Sequence, residues 1–352
     1  MEAGQESNSI SVIHRLVTDE YGENYWFNGC AGYVMECLGE KDYDYWFFAG
    51  VTGDLFTQQY CTKTYSGDAL SSFEMDRAPK QFVRDTFAKC GYEAAFVSGQ
   101  ELEQNAEMYL QELVTYLDRG IPVIAWGQLT GVYVGYEEYG RRLLYISGNS
   151  DQPGRLTLEE ALQKTVCWSR DAGGQGGWVF VGDKKESPSL AGIYRNAIAD
   201  IPRHFAVRTD LFCFGAQAFG AWAEDLENGR FDGVTAEEFD LWGDYTNYVC
   251  VLATNGSCSH RFLERARELN PDMGWLEKVE NLYGRTGRMW NDDNGKDLEA
   301  MGGGFRVTLV TLQDKKKRAE IAEVIRTCGA CMEEVLRILN SSLSASQADL
   351  KP

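Results

Sequence analysis

The spacing of apolar residues changes twice along the chain, which limits the folds it can adopt. Up to residue 119 apolar positions recur at helical spacing, as in CAGYVMECL at 30–38 and in the stretches 80–90 and 101–119. From 120 onward short apolar runs predict strands: IPVIAWG, GVYVGY, RRLLYISG and GGWVFVGD. Helical spacing returns after the polar segment KKESPS. The sequence therefore predicts an α+β domain at 1–185 with a mostly antiparallel sheet, and an all-helical domain at 186–352.

The composition argues against some classes of binding partner and predicts the cellular compartment. The chain has 53 acidic and 34 basic residues, a formal net charge of −19, so its field repels nucleic acid and anionic lipid headgroups. We expect neither a nucleic-acid nor a membrane partner. With no apolar run of about 18 residues and no secretory signal pattern, the sequence predicts a cytoplasmic protein whose ten cysteines are reduced.

Metal and cofactor sites find little support in the sequence. Only three histidines are present, His14, His204 and His260. The pair Cys328 and Cys331 forms a CxxC motif, but it lies inside a predicted helix rather than at a helix start after a strand, so it indicates a core face. The glycine-rich segments lack the strand, loop and helix order of a nucleotide-binding motif. We therefore predict no metal and no cofactor.

Cys30 is the first candidate for chemistry. It follows Asn28 and Gly29 at the predicted start of a helix, where unpaired N–H groups and the helix dipole would stabilise a thiolate and hold an oxyanion. The amides of Asn24 and Asn28 could act as further donors. The alternative is that Cys30 is a small apolar residue in the core of the helix. Without a partner residue in view, the sequence leaves both interpretations open.

Aromatic residues are concentrated around this cysteine. Nine of them, Trp26 included, fall within residues 25–48. Binding clefts favour aromatic walls with a few polar groups, so some of these rings could line a cleft beside Cys30. The alternative is that all of them belong to the core.

Four segments in a fixed order carry a resemblance to a known family. Cys30 opens a helix after a glycine, and GIPVIAW at 120–126, VYVGY at 132–136 and an Asn149–Asp151 turn before TLEEAL at 157–162 follow it. This order resembles the papain-like family of butirosin biosynthesis protein H and the related C39-like cysteine peptidases. Helical segments at 216–226 and 261–267 resemble the family's C-terminal part. The resemblance implies a papain-like fold, with Cys30 as nucleophile and Asn149 or Asp151 orienting a histidine base.

The chain departs from the family pattern at that base. The family's histidine begins the strand that ends in Gly-Tyr, and the corresponding positions here are Leu129 and Thr130, beside Gly131. No histidine lies between His14 and His204. A cysteine without a base depends on its own thiolate fraction, and loss of the base commonly costs orders of magnitude in rate.

Two main hypotheses of function follow. The first is a catalytically degenerate papain-like protein that binds a small molecule or peptide in the former active-site cleft, with ligand contacts from Asn24, Trp26, Asn28, Leu129 and Thr130. The second is an active acyltransferase, peptidase or amidase, in which Cys30 attacks and a base from elsewhere, such as His204 or His260, replaces the missing one. The absent histidine favours the first. A third hypothesis is a structural or interaction protein without a cleft.

Overall fold

A computed structural model describes residues 5–16, 26–62, 69–148, 150–165, 176–186, 188–241, 245–292 and 295–348. The chain divides into two units. Unit 1 is Met1–Thr52 with Ser71–Ser189, and unit 2 is Gly53–Leu70 with Leu190–Pro352. The sequence-based boundary lies between residues 185 and 186, whereas the structural division runs between Ser189 and Leu190, and unit 2 also includes a segment from the first predicted domain. Within the described ranges no helix is both long and apolar enough to cross a membrane.

The strands and helices are numbered in chain order. The strands are β1 (Asn8–Ser9), β2 (Gln59–Cys61), β3 (Tyr92–Ser98), β4 (Val123–Trp126), β5 (Gly131–Glu137), β6 (Arg142–Ile146), β7 (Gly154–Thr157), β8 (Gly177–Lys184) and β9 (Phe212–Phe214). The helices are α1 (Trp26–Cys37), α2 (Tyr45–Thr52), α3 (Leu70–Arg77), α4 (Pro79–Lys89), α5 (Gly99–Gln104), α6 (Ala106–Asp118), α7 (Leu158–Gln163), α8 (Leu190–Phe205), α9 (Ala216–Glu227), α10 (Asn247–Leu269), α11 (Leu276–Trp290), α12 (Leu298–Met301), α13 (Leu309–Gln313) and α14 (Lys315–Ala348).

Unit 1 contains a seven-stranded antiparallel sheet, so the α+β prediction is confirmed. The strand order is β3-β8-β4-β5-β6-β7, and β1 pairs with β5 at Asn8 and Tyr136. The four predicted strand runs correspond to β4, β5, β6 and β8. Both central strands β4 and β5 are buried almost throughout, because helix α1 packs against them. Phe27 of α1 contacts Phe82 and Trp126, with ring centroids 4.9 and 6.2 Å apart respectively.

Local signals explain where the helices of unit 1 begin and end. A threonine followed three residues later by a glutamate predicts a capping box, and Thr157 and Glu160 form one at the start of α7, which confirms the prediction. The predicted helix 101–119 is instead two helices, α5 and α6. Ser98 and Glu101 form a second capping box that starts α5, and Asn105 interrupts the helix with φ −138° and ψ 41°. The sequence does not predict strand β3, because apolar and polar residues alternate only weakly in it. Its hydrogen-bonded pairing with β8 makes it a strand.

Unit 2 is mostly helical, with one exception to the all-helical prediction. Strand β2 pairs antiparallel with β9, at Tyr60 and Cys213 among others. Apolar spacing in the sequence predicts two helices at 236–254 and 258–269, whereas the structure has the single helix α10. Cys328 and Cys331 are buried in α14, as predicted from their spacing. The basic run at 315–318 begins helix α14. A basic run at a helix start is expected to lie in solvent, but Arg318 is buried and forms an ion pair with Asp232.

The hairpin between β5 and β6 contains a strained turn. Glu138 and Tyr139 have φ of 53° and 58°, and this left-handed backbone costs an ordinary side chain about 1 kcal/mol. Tyr139 is 63% exposed, so its ring contributes little packing. We expect Tyr139→Asn to raise the unfolding free energy of unit 1 by about 0.5–1 kcal/mol, because Asn tolerates this conformation. Urea denaturation measures the change; Tyr139→Ala, which keeps the strain, should give no gain, and an equal gain from both would contradict the argument.

Candidate functional site

Three of the predicted site residues, Trp26, Leu129 and Thr130, lie in unit 1 at the end of the sheet where α1 begins and a turn joins the central strands β4 and β5. We call this the α1 edge: Trp26, the β4–β5 turn with Leu129 and Thr130, and Gly148 after β6. An added Cβ at Gly148 would lie 2.6 Å from the Trp26 ring, so the two are in close contact. The Leu129 N–H donates to the Lys164 carbonyl oxygen at 3.4 Å, and the Thr130 hydroxyl donates to the Gly127 carbonyl at 3.2 Å. Trp26, Leu129 and Thr130 are half-buried and retain exposed surface.

Cys30 does not open the helix, and the prediction that it does is wrong. The helical residues Trp26–Gly29 precede it, so its N–H lies beyond the unpaired donors of the first turn and outside the strongest part of the helix dipole. Its side chain is fully buried, and burial raises the pKa of the thiol well above its ordinary value. The expected lowering of this pKa is therefore wrong as well. Cys30 is a core residue.

Asn28 is also part of the core. It is fully buried, and its side-chain oxygen accepts a hydrogen bond from the Thr52 hydroxyl at 3.2 Å, which links α1 to α2. This contact gives Asn28 a structural role in the core, and its predicted role as a donor to an oxyanion or a ligand stays a prediction.

Position 131 cannot hold a histidine without displacing the neighbouring strand. An added Cβ there would lie 2.4 Å from the carbonyl oxygen of Ile146, which is backbone of the paired strand β6 and cannot move aside cheaply. Position 131 requires glycine because the backbones of β5 and β6 approach each other so closely there. Only Leu129 and Thr130 among the three corresponding positions offer room for a larger side chain at the surface.

The predicted orienting residue Asp151 has a different partner. One of its carboxylate oxygens accepts a hydrogen bond from the Arg15 backbone N–H at 3.1 Å, and the side chain is 68% exposed. In the part of the chain that the structure describes, no hydrogen bond joins Asp151 to a histidine, and its predicted orienting role stays a prediction. Asn24 and Asn149 lie outside the described residues.

A cluster that sequence reasoning missed lies on the second half of α1. His14 Nε2 is 3.1 Å from a carboxylate oxygen of Glu36, and its ring packs edge-on against Tyr33 at 5.1 Å. The Tyr33 hydroxyl donates to the Val12 carbonyl at 2.5 Å. These contacts fix the N-terminal segment against α1. No sequence signal connects residues 12–14 to 33–36, so only the fold could show this pairing.

Cys37 belongs to the same cluster but is not an activated thiol. Burial, and then the negative charge of Glu36, raise its pKa to about 12. The two cysteines of α1 are therefore both protonated near neutral pH. His204 and His260 belong to unit 2, in α8 and α10, and their service as a base for Cys30 stays a hypothesis.

Comparisons with known proteins add no assignment. No protein-family model and no curated protein matches the chain. Within the described ranges no group of three or more histidine, cysteine, aspartate or glutamate side chains is arranged to hold a metal ion. The α1 edge is therefore the basis on which we infer a function.

Proposed function

We propose that this chain is a papain-like protein without cysteine catalysis that binds a small molecule or a peptide at the α1 edge. The observation that carries the proposal is the state of Cys30, which is fully buried and has a raised pKa. A thiol that is neither ionised nor accessible cannot attack an acyl carbon. The alternative of an active acyltransferase, peptidase or amidase therefore has the weaker support.

The side chains at the α1 edge support the proposal that this chain binds a ligand. Trp26, Leu129 and Thr130 keep exposed surface at one edge of the sheet, and the backbone there is held by hydrogen bonds from Leu129 and Thr130. An aromatic ring beside an apolar side chain and a hydroxyl is the composition typical of small-ligand sites. The helix-then-antiparallel-sheet order of unit 1 supports the papain-like assignment.

Ligand screening with matched tryptophan variants tests the proposal. A thermal-shift panel of metabolites and short peptides should yield a ligand that raises the melting temperature, because a ligand bound only to the folded state stabilises it. We expect Trp26→Ala to weaken that ligand's affinity about tenfold or more, as loss of an aromatic contact in a pocket does. Trp46→Ala is the matched control, since Trp46 is an equally half-buried tryptophan of unit 1, on α2.

Two outcomes would overturn the proposal. One is a panel without any stabilising ligand, which would favour a structural or interaction protein. The other is a ligand whose affinity falls equally in the two tryptophan variants, which would place the site elsewhere. Acylation of native Cys30 by an activated thioester would instead restore the enzyme hypothesis.

A further inference from the structure

A surface hollow in unit 2 has the composition of a binding site. It has a volume of about 440 Å³ and lies where α11 ends and α12 begins. This size is within the usual range for small-molecule sites. The lining side chains that matter are Trp290, Asn291, Asp297, Glu299, Phe305 and Arg306. Because the hollow belongs to unit 2, an inference about it does not rest on the proposed function of the α1 edge.

Two aromatic rings form walls of the hollow and are held in place. Trp290 and Phe305 meet nearly at right angles, 87°, with centroids 6.0 Å apart. Glu299 holds the Trp290 ring and the backbone at Phe305, because one of its carboxylate oxygens accepts from Trp290 Nε1 at 3.0 Å and from the Phe305 N–H at 2.7 Å. Its other oxygen accepts from the Arg306 N–H at 3.3 Å. The rings are therefore positioned before any ligand arrives, which lowers the entropy cost of binding.

The charges around the hollow favour a cation. Asp297 is only 3% exposed; its Oδ1 accepts a hydrogen bond from the Ala300 N–H at 2.9 Å, and its Oδ2 has no hydrogen-bond partner among the described residues. Glu299 adds a second carboxylate, and the C-terminal end of the fifteen-residue helix α11 adds partial negative charge. Among the lining residues the one cation is Arg306, which is exposed and forms no ion pair with any described residue; Lys296, next to Asp297 in the chain, and Arg288, in the last turn of α11, are the basic residues nearest to the lining in sequence.

We propose that this hollow binds an organic cation, a compound carrying an amine or a quaternary ammonium group. The positive head group lies near Asp297 and Glu299, and its alkyl groups contact the faces of Trp290 and Phe305, which attract cations through their ring quadrupoles. A compound of this class has both features that the lining requires, a positive charge and apolar surface. The binding is non-covalent.

Calorimetric titration of the full chain tests this with choline, ethanolamine and 3,3-dimethyl-1-butanol, the neutral isostere of choline. We expect at least one cation to bind roughly tenfold more tightly than the neutral isostere, because the isostere lacks the charge. A preference for choline indicates a quaternary ammonium ligand, and a preference for ethanolamine indicates a primary amine.

Two variants test how charge affects cation binding without disturbing the structure of the hollow. Asp297→Asn should weaken the cation about fivefold or more while keeping the helix cap, since Asn caps helices as well as Asp does. Arg306→Gln should strengthen it roughly twofold, because a repelling charge is removed. Benzoate serves as an anionic probe. The inference is overturned if benzoate binds and Arg306→Gln abolishes that binding, if the isostere equals choline and ethanolamine, or if neither cation binds.

Discussion

Native Cys30 should resist alkylation more than about 1000-fold relative to the unfolded chain, because the thiol is exposed only when unit 1 opens. The side chain is fully buried, and burial raises the pKa of its thiol, so both access and thiolate fraction are low. Site-resolved mass spectrometry after iodoacetamide treatment at neutral pH, with and without urea, gives the ratio. Cys250, which is partly exposed, is the internal reference for labelling in the native state.

Substitution gives an independent measure of the same property. Cys30→Ser places a hydroxyl in an apolar site and should lower the unfolding free energy of unit 1 by about 1–3 kcal/mol. Cys30→Ala should cost less, since it removes one sulfur without adding a polar group. A surface nucleophile would behave in the opposite way, with Cys30→Ser neutral for stability and native labelling faster than that of Cys250.

Gly256→Ala should lower the unfolding free energy of unit 2 by about 2–3 kcal/mol, at the upper end of what overpacking costs. Helices α10 and α11 cross at Gly256 and Gly287, and an added Cβ at Gly256 would lie 2.4 Å from the Gly287 Cα. Because both contacting atoms belong to backbone, one helix must shift to make room. Urea denaturation of the full chain, with helical circular dichroism as the signal, measures the loss.

Helix α11, which meets α10 at Gly287, provides the matched control. Gly284 lies three residues before Gly287 in α11, but an added Cβ there meets only the end of the Arg288 side chain, at 3.6 Å. Gly284→Ala should therefore stabilise unit 2 by about 0.5–1 kcal/mol, the ordinary gain in helix propensity. If both substitutions destabilise equally, helix crossing at Gly256 is not the cause.

The candidate site shows where sequence reasoning succeeded and where it could not. Spacing alone placed α1, the β4–β5–β6 strands and the capping box at Thr157, because these depend on residues close in the chain. The family resemblance indicated Leu129 and Thr130, and the aromatic cluster indicated Trp26; their role in binding stays a prediction. Spacing placed Cys30 at the start of its helix, an error of one turn. The apolar pattern from 30 to 38 marks the buried face of a helix but not its first residue.

Other residues depended on contacts that no local pattern contains. His14 reaches Glu36 across 22 positions, and Arg318 reaches Asp232 across 86. A basic run at a helix start is usually solvated, and the burial of Arg318 follows only from the chain that packs over it. In the same way, β2 and β9 are strands because they pair with each other, although they are 150 residues apart.

Periodicity and turn chemistry by themselves determined the fold class, most helices and the strands of the sheet centre, because these properties are local. Tertiary structure alone decided which side chains are accessible. It made Cys30 a core residue, distinguished the crowded Gly256 from the uncrowded Gly284, and placed Trp290 and Phe305 around one hollow. The physical reason is that burial and close approach depend on surfaces from distant segments, whereas spacing records only which face of an element is apolar.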